Sequence, residues 1–368
     1  MNEDAPNEDA NRRTLVRITF LPGWVVVGVT TVAFALGATV PPRYRWVPLA
    51  ASVVLFGLPH GAVDHLIVPR VRGEYVTRRW LAIVGVVYAV LGSLYATVWF
   101  TAPVAAFGVF IGLTWFHWGA GELYPLVEIA GVEHLRTPGS RVTTAAVRGA
   151  IPMGLPLVAF PERFRAVAEL LVSPFAVGSA GEALEPLLQP ETRVAIFVGI
   201  CGLAACTLAI GGVRARRMDA KRVDANATLG GEGRIVLPGD AVRGWLLDVG
   251  ETLLLLGFFG VVPPVLAVGI YFCVWHSLRH VTRMIALDDR STASLAAGRI
   301  VPSLWRFGRD ATPLSVGALV VFGVLLVIVP RTPGTPVELI GAYLVTIAVV
   351  TLPHAAIVAR VDREQGLI

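Results

Sequence analysis

Charge is what this sequence has least of. Asp, Glu, Lys and Arg together make up 15% of 368 residues, while apolar residues make up 55%, in runs too long for the core of a soluble globule. Cysteine is almost missing. Cys201, Cys206 and Cys273 all fall within apolar runs, so no disulfide framework is implied. The first 20 residues are polar and show no cleavable leader, so insertion is expected to begin with the first apolar run. No soluble domain and no strict repeat is evident, although LPHGA (58–62) and LPHAA (352–356) resemble each other. A Ser/His/Asp set and a pair of catalytic carboxylates are also lacking, which leaves hydrolytic acid–base chemistry without a vehicle.

What is present is a succession of apolar stretches of about 20 residues, the length a helix needs to cross a bilayer. The sequence predicts an all-α, polytopic membrane helical bundle of about ten transmembrane helices, multi-pass in the cell membrane. Spans are expected at 22–40, 47–68, 80–100, 104–125, 145–160, 193–212, 244–260, 263–286, 312–330 and 337–359. The fifth is short and broken by Pro152 and Pro156, and a further apolar patch at 166–178 reads as re-entrant or interfacial. The domain plan is a polar tail (1–21), one transmembrane helical domain (22–360) with an exposed loop at 213–240, and a short C-terminal tail (361–368). The formal charge of +5 marks topology rather than nucleic-acid binding, because the arginines sit in short loops between apolar runs. With both termini in the cytoplasm, the outside keeps only Arg43, Arg45, Arg163, Arg165 and Arg331, and the other arginines between spans fall inside.

That topology also aligns the histidines. The second, fourth, eighth and tenth spans run in the same direction and carry every intramembrane histidine. His60, His117 and His276 each lie 13 residues from the start of their span, and His280 and His354 lie 17. At ~1.5 Å per residue these groups share nearly one depth. Ionisable groups at such depth are costly and mark an interior site, and a shared depth on parallel helices is how a bundle builds a metal centre. His276 and His280 are spaced i,i+4, so one metal can bind both, and His60 and Asp64 share that spacing. His65 would point away from His60 on an unbroken helix. An all-histidine set suits iron, zinc or copper alike. Ligating histidines pass their second nitrogen to a carboxylate or carbonyl, for which Asp64, Glu122, Asp248 and Glu251 are the candidates, with His354 as a further supporting group. His134 lies in a loop and receives no role. Trp115, Phe116, Trp118, Tyr271, Phe272 and Trp275 flank the histidines as candidate walls of a tunnel for a long apolar ligand, and Gly57, Gly61, Gly119 and Gly121 would let a slender ligand approach the backbone.

The ordered set GLPHGAVDH (57–65), WFHWG (115–119) and WHSLRH (275–280) resembles the Brp/Blh family of membrane β-carotene 15,15'-dioxygenases. The resemblance spans most of the chain and is more specific than any one of its pieces. It implies a non-haem Fe(2+) held by His60, His117, His276 and His280, and cleavage of the central double bond of β-carotene by O2 to two molecules of retinal. Membrane lipid as the surrounding medium, and hand-over of retinal to a microbial rhodopsin, belong to the same expectation. Iron ligation does not carry over to His354. Two other classes use buried histidines in membranes: a b-type cytochrome with paired axial ligands, and a His-lined proton or metal transporter. A desaturase-like di-iron enzyme would need about eight histidines, and HxxHH is missing.

Overall fold

A computed structural model describes residues 5–53, 57–175, 180–228 and 239–368. Fifteen α-helices and no strands occur among the described residues. In chain order they are α1 (Ala5–Ala35), α2 (Val47–Ala51), α3 (Asp64–Val71), α4 (Arg78–Thr101), α5 (Pro103–Gly121), α6 (Pro138–Ala159), α7 (Pro161–Val172), α8 (Ala180–Leu188) and α9 (Pro190–Thr228). They continue as α10 (Asp240–Val261), α11 (Pro264–Tyr271), α12 (Leu278–Ala286), α13 (Asp289–Ala296), α14 (Ile300–Ile328) and α15 (Pro336–Glu364). Proline opens α5, α6, α7, α9, α11 and α15, where its missing N–H would have no helical partner. α15 adds a capping box. The Thr335 hydroxyl accepts from the Glu338 N–H, and the Glu338 carboxylate accepts from the Thr335 N–H.

Among the described residues, eight helices are long and apolar enough to cross a membrane. α15 is the axis of the bundle: 72% of its most apolar stretch is buried, against 11% for α14 and 17% for α4 and α9. A helix that is apolar all round belongs inside, and one apolar only toward solvent needs another apolar phase there. Val316, Val320, Val324 and Val327 of α14, and Val86, Val90 and Leu94 of α4, present such an outer face. Large exposed apolar surface on this scale is the lipid side of a membrane protein.

The eight match eight of the ten expected spans. The other two, 47–68 and 263–286, are interrupted at the histidines. In the first, α2 stops at Ala51, a 3-10 turn covers Gly61–Val63, and α3 begins only at Asp64; residues 54–56 lie outside the described residues. The Leu58 N–H returns to the Ser52 carbonyl at 2.9 Å, and a Cβ on Gly57 would collide with the Ser52 side chain. Only glycine fits that approach. His65 therefore does not sit on an unbroken helix, as the sequence reading assumed. In the second, a π-helical segment, Phe272–Ser277, joins α11 to α12. Such wide turns inside a helix recur at functional sites.

One further expectation needs correction. The exposed loop at 213–240 is helix up to Thr228, because α9 runs on beyond its apolar part; residues 229–238 lie outside the described residues. Asp219 in that extension accepts from the N–H groups of Ala241 and Val242 at 3.1 Å, which satisfies the first turn of α10. The apolar patch at 166–178 lies largely on the short amphipathic α7, and its residues 176–178 lie outside the described residues. α7 packs against α5, α6 and α15 and lines part of the cavity described below.

Candidate metal centre

Five histidines meet at the two interruptions and the axial helix. His60 precedes the 3-10 turn, His117 lies on α5, His276 in the π segment, His280 on α12 and His354 on α15. All five are buried. Ring centroids are 4.7 Å apart for His117 and His354, 4.9 Å for His117 and His276, and 5.1 Å for His60 and His354. His280 stands 5.3 Å from His354 and 5.5 Å from His60, and His276 stands 5.4 Å from His60. The i,i+4 pair thus reaches a common partner, His60. The five histidines that share a depth in the sequence are neighbours in the structure.

The nitrogen atoms are disposed as a cation site requires. Nε2 of His117 and Nε2 of His276 are 3.2 Å apart. Two ligands at right angles about a metal, each at ~2.0–2.1 Å, stand about 3 Å apart. One potential donor atom from each of His60, His117 and His354 lies within 4.8 Å of the others, and the same holds for Asp64, His280 and His354. Nε2 of His280 and Nε2 of His354 are buried without a hydrogen-bond partner among the described residues. Buried nitrogens left unsatisfied are costly, and a metal relieves that cost. Nδ1 of His60 makes a short bond to the Gly57 carbonyl and lies 3.3 Å from the Ser277 hydroxyl. That leaves its Nε2 as the lone-pair nitrogen. The donor set therefore fits a metal, and neutral imidazoles do not by themselves select which one.

The carboxylates divide into two groups. Asp64 joins the histidines: Nδ1 of His354 is 2.9 Å from both its oxygens, and the Tyr88 hydroxyl donates to it at 2.8 Å. Glu122, Asp248 and Glu251 make no hydrogen bond to any of the five histidines among the described residues. They form a buried ionic lattice on the far side of the π segment. Arg279 donates to Glu122 at 2.7 Å and makes a short bond to Glu251. Arg148 donates to Asp248 at 2.7 Å and lies 3.2 Å from Glu251. Trp275 Nε1 donates to Glu122 at 3.1 Å and Trp24 Nε1 to Glu251 at 2.7 Å. His134 finds a place here as well, with Nε2 3.1 Å from Asp248.

The remaining site candidates separate in the same way. His65 is buried, but no ring contact joins it to the five. Trp118 and Phe272 line a cavity beside the histidines. Trp115 and Phe116 are instead exposed on the outer face of α5, and Tyr271 and Trp275 are packed in the core away from the cavity wall. Cys273 bonds the Pro48 carbonyl at 3.4 Å. Gly57 and Gly61 border the cavity, whereas Gly119 meets the Ala145 backbone of α6 and Gly121 lies under the His276 ring. Sequence reasoning passed over Tyr88, Arg148 and Arg279. Arg279 was open to discovery, since a charge between two intramembrane histidines demands a buried partner.

The cavity holds about 1370 Å³ of empty space, its open mouth included. His60, His117 and His354 form one part of its wall. The rest is almost wholly apolar, from Phe107, Phe110 and Ile111 of α5 to Phe164, Val167 and Leu171 of α7, Leu314 and Ala318 of α14, and Leu344 and Ile347 of α15. No charged residue lines it among the described residues.

Comparison with known proteins converges on one family. The family profile described as "Beta-carotene 15,15'-dioxygenase" matches residues 51–362. "Probable beta-carotene 15,15'-dioxygenase Blh" of Halobacterium salinarum is 44% identical over 357 residues, covering 97% of this chain and 96% of the relative. "Probable beta-carotene 15,15'-dioxygenase Brp" of the same organism is 27% identical over 369 residues, covering 96% and 93%. No solved structure matches the chain. With 44% identity to a relative over nearly the whole of both chains, and a family match that includes all five clustered histidines, the chain belongs to the beta-carotene 15,15'-dioxygenase family.

Proposed function

We propose that this protein cleaves the central 15,15' double bond of β-carotene with O2, giving two molecules of all-trans-retinal at a membrane-buried Fe(2+) centre. The observation that carries the reading is the position of the histidine cluster in the wall of an apolar cavity. The metal ligands are His60, His117, His276 and His280. The balance is simple: the C15=C15' bond and the O–O bond break, and each new aldehyde takes one oxygen atom. No proton is transferred, which agrees with a cavity lined by no carboxylate or lysine.

Bound iron supplies the activation of O2, a one-electron chemistry that side chains do not perform. The protein's own residues do the rest. Neutral imidazoles hold the cation without cancelling its charge. The Gly57 carbonyl on Nδ1 of His60 sets the tautomer that aims Nε2 inward. Phe107, Phe110, Phe164 and Val167 bind the hydrocarbon and exclude water. Residues of both α7 and α14 line the cavity with the histidines, and the polyene lies along it with its central bond at the metal.

The same reading takes the chain as one bundle over 22–360 in the cell membrane, with both termini cytoplasmic, as the arginine distribution requires. Two interrupted spans added to eight regular ones make ten crossings. Substrate and product travel through membrane lipid, from which a microbial rhodopsin takes up retinal. A b-type cytochrome demands two histidines facing across a flat porphyrin, and imidazoles whose neighbouring ring centroids stand only 4.7 to 5.1 Å apart do not provide that slot. A transporter demands a polar path, which the apolar cavity lacks. Expression in a β-carotene-making bacterium tests the proposal. Colour loss with accumulation of retinal is the expected result, and unchanged carotenoid at confirmed membrane expression would overturn it.

A further inference from the structure

Resting on the metal-centre reading above, we infer that His354 is itself a ligand of the metal, aimed by Asp64, which Tyr88 holds in place. His354 is the member shared by the two groups of donor atoms, one with His60 and His117 and the other with His280 and Asp64. Its ring also lies nearest to that of His117, at 4.7 Å between centroids.

The hydrogen bonds fix its tautomer. Both oxygens of Asp64 are 2.9 Å from Nδ1, and a carboxylate can only accept, so Nδ1 carries the proton. Nε2 is then the lone-pair nitrogen. It is buried, has no hydrogen-bond partner among the described residues, and belongs to a residue that is 4% exposed. A histidine that only supported another ligand would pass a hydrogen bond to that ligand. Among the described residues His354 hydrogen-bonds only to Asp64, and that bond leaves Nε2 for the cation. A carboxylate on the far nitrogen is the usual arrangement behind a metal-bound imidazole.

Asp64 is a positioning residue rather than a competing ligand. It is fully buried, and its two oxygens are already engaged by His354 and by the Tyr88 hydroxyl at 2.8 Å. Gly61 leaves the space the ring occupies, since a Cβ there would stand 3.3 Å from Nδ1 of His354. The likeness of LPHGA and LPHAA thus has a physical counterpart: each Pro-His pair delivers one imidazole, and the two rings lie 5.1 Å apart.

The test uses purified full-length protein in detergent, scored for bound iron against graded chelator and for imidazole scattering by X-ray absorption. His354→Gly is expected to lose one imidazole from the iron shell and to release iron at lower chelator, and free imidazole is expected to restore retention. Asp64→Asn is expected to keep the imidazole number while binding iron ~10–100-fold more weakly. Unchanged affinity and unchanged scattering in His354→Gly would overturn the inference. If that variant does not fold, unchanged iron affinity in both Asp64→Asn and Tyr88→Phe overturns it instead. Wild-type protein that forms retinal without bound metal would overturn the metal-centre reading itself, a different failure from a metal site that ignores His354.

Discussion

Nη1 of Arg279 lies 2.7 Å from a carboxylate oxygen of Glu122, deep inside the bundle. Glu122 follows His117 by five residues, and Arg279 stands between His276 and His280. The ion pair therefore locks two elements that deliver histidines, on the side away from the cavity. Glu251 and the Trp275 ring hold the same guanidinium, the ring at 4.1 Å from its centre.

Removing one partner breaks a hydrogen-bonded ionic network that water does not reach, which costs ~3–5 kcal/mol. Glu122→Ala and Arg279→Met are each expected to lower the unfolding midpoint in detergent and to reduce bound iron. Val320→Ala, on the outer face of α14, serves as the comparison and is expected to change neither.

The histidines sort by position. His117→Ala and His276→Ala each remove one of two nitrogens 3.2 Å apart, and retinal formation and bound iron are both expected to vanish at matched expression. His65→Ala is expected to keep iron, because its ring touches none of the five. Iron lost from His65→Ala and kept by His117→Ala would reverse the assignment.

Much of this was legible in the sequence because bilayer crossing imposes length and apolarity, and both are local properties. Eight spans, and the grouping of His60, His117, His276, His280 and His354, follow from that alone. What the sequence concealed depends on contacts between segments. The break before Asp64 is set by Leu58 returning to Ser52 and by the space Gly57 leaves. The π turn at Phe272–Ser277 has no marker in an apolar run. Glu122 and Glu251 were placed beside the histidines by depth, but depth does not give the facing direction, and Arg148 and Arg279 claim them. Trp115 and Phe116 illustrate the same point: they share a depth with His117 but lie exposed on the surface of α5.

The cavity makes its own prediction. Ala318 lines it from α14, far in sequence from every proposed ligand. Ala318→Trp should obstruct the polyene, and misplacing a reacting bond by even ~1 Å costs about a hundredfold in rate. The expected pattern is full iron content with retinal formation reduced at least about tenfold. Unaltered turnover would place the substrate elsewhere.

Topology is checked by impermeant thiol labelling of intact cells. A cysteine at Arg43, in the short segment before α2, is expected to react from outside. A cysteine at Arg217, on the α9 extension, is expected to react only after permeabilisation. The opposite pattern would invert the bundle without altering the histidine cluster.

The central claim is that one molecule of O2 is divided between the two halves of β-carotene. Purified iron-loaded protein is given β-carotene under 18O2, and retinal is reduced at once to the alcohol, before its aldehyde oxygen exchanges with water. Mass spectrometry is expected to find one 18O in essentially every product molecule. Label in only half of the product, or retinal formed without label, would contradict the account.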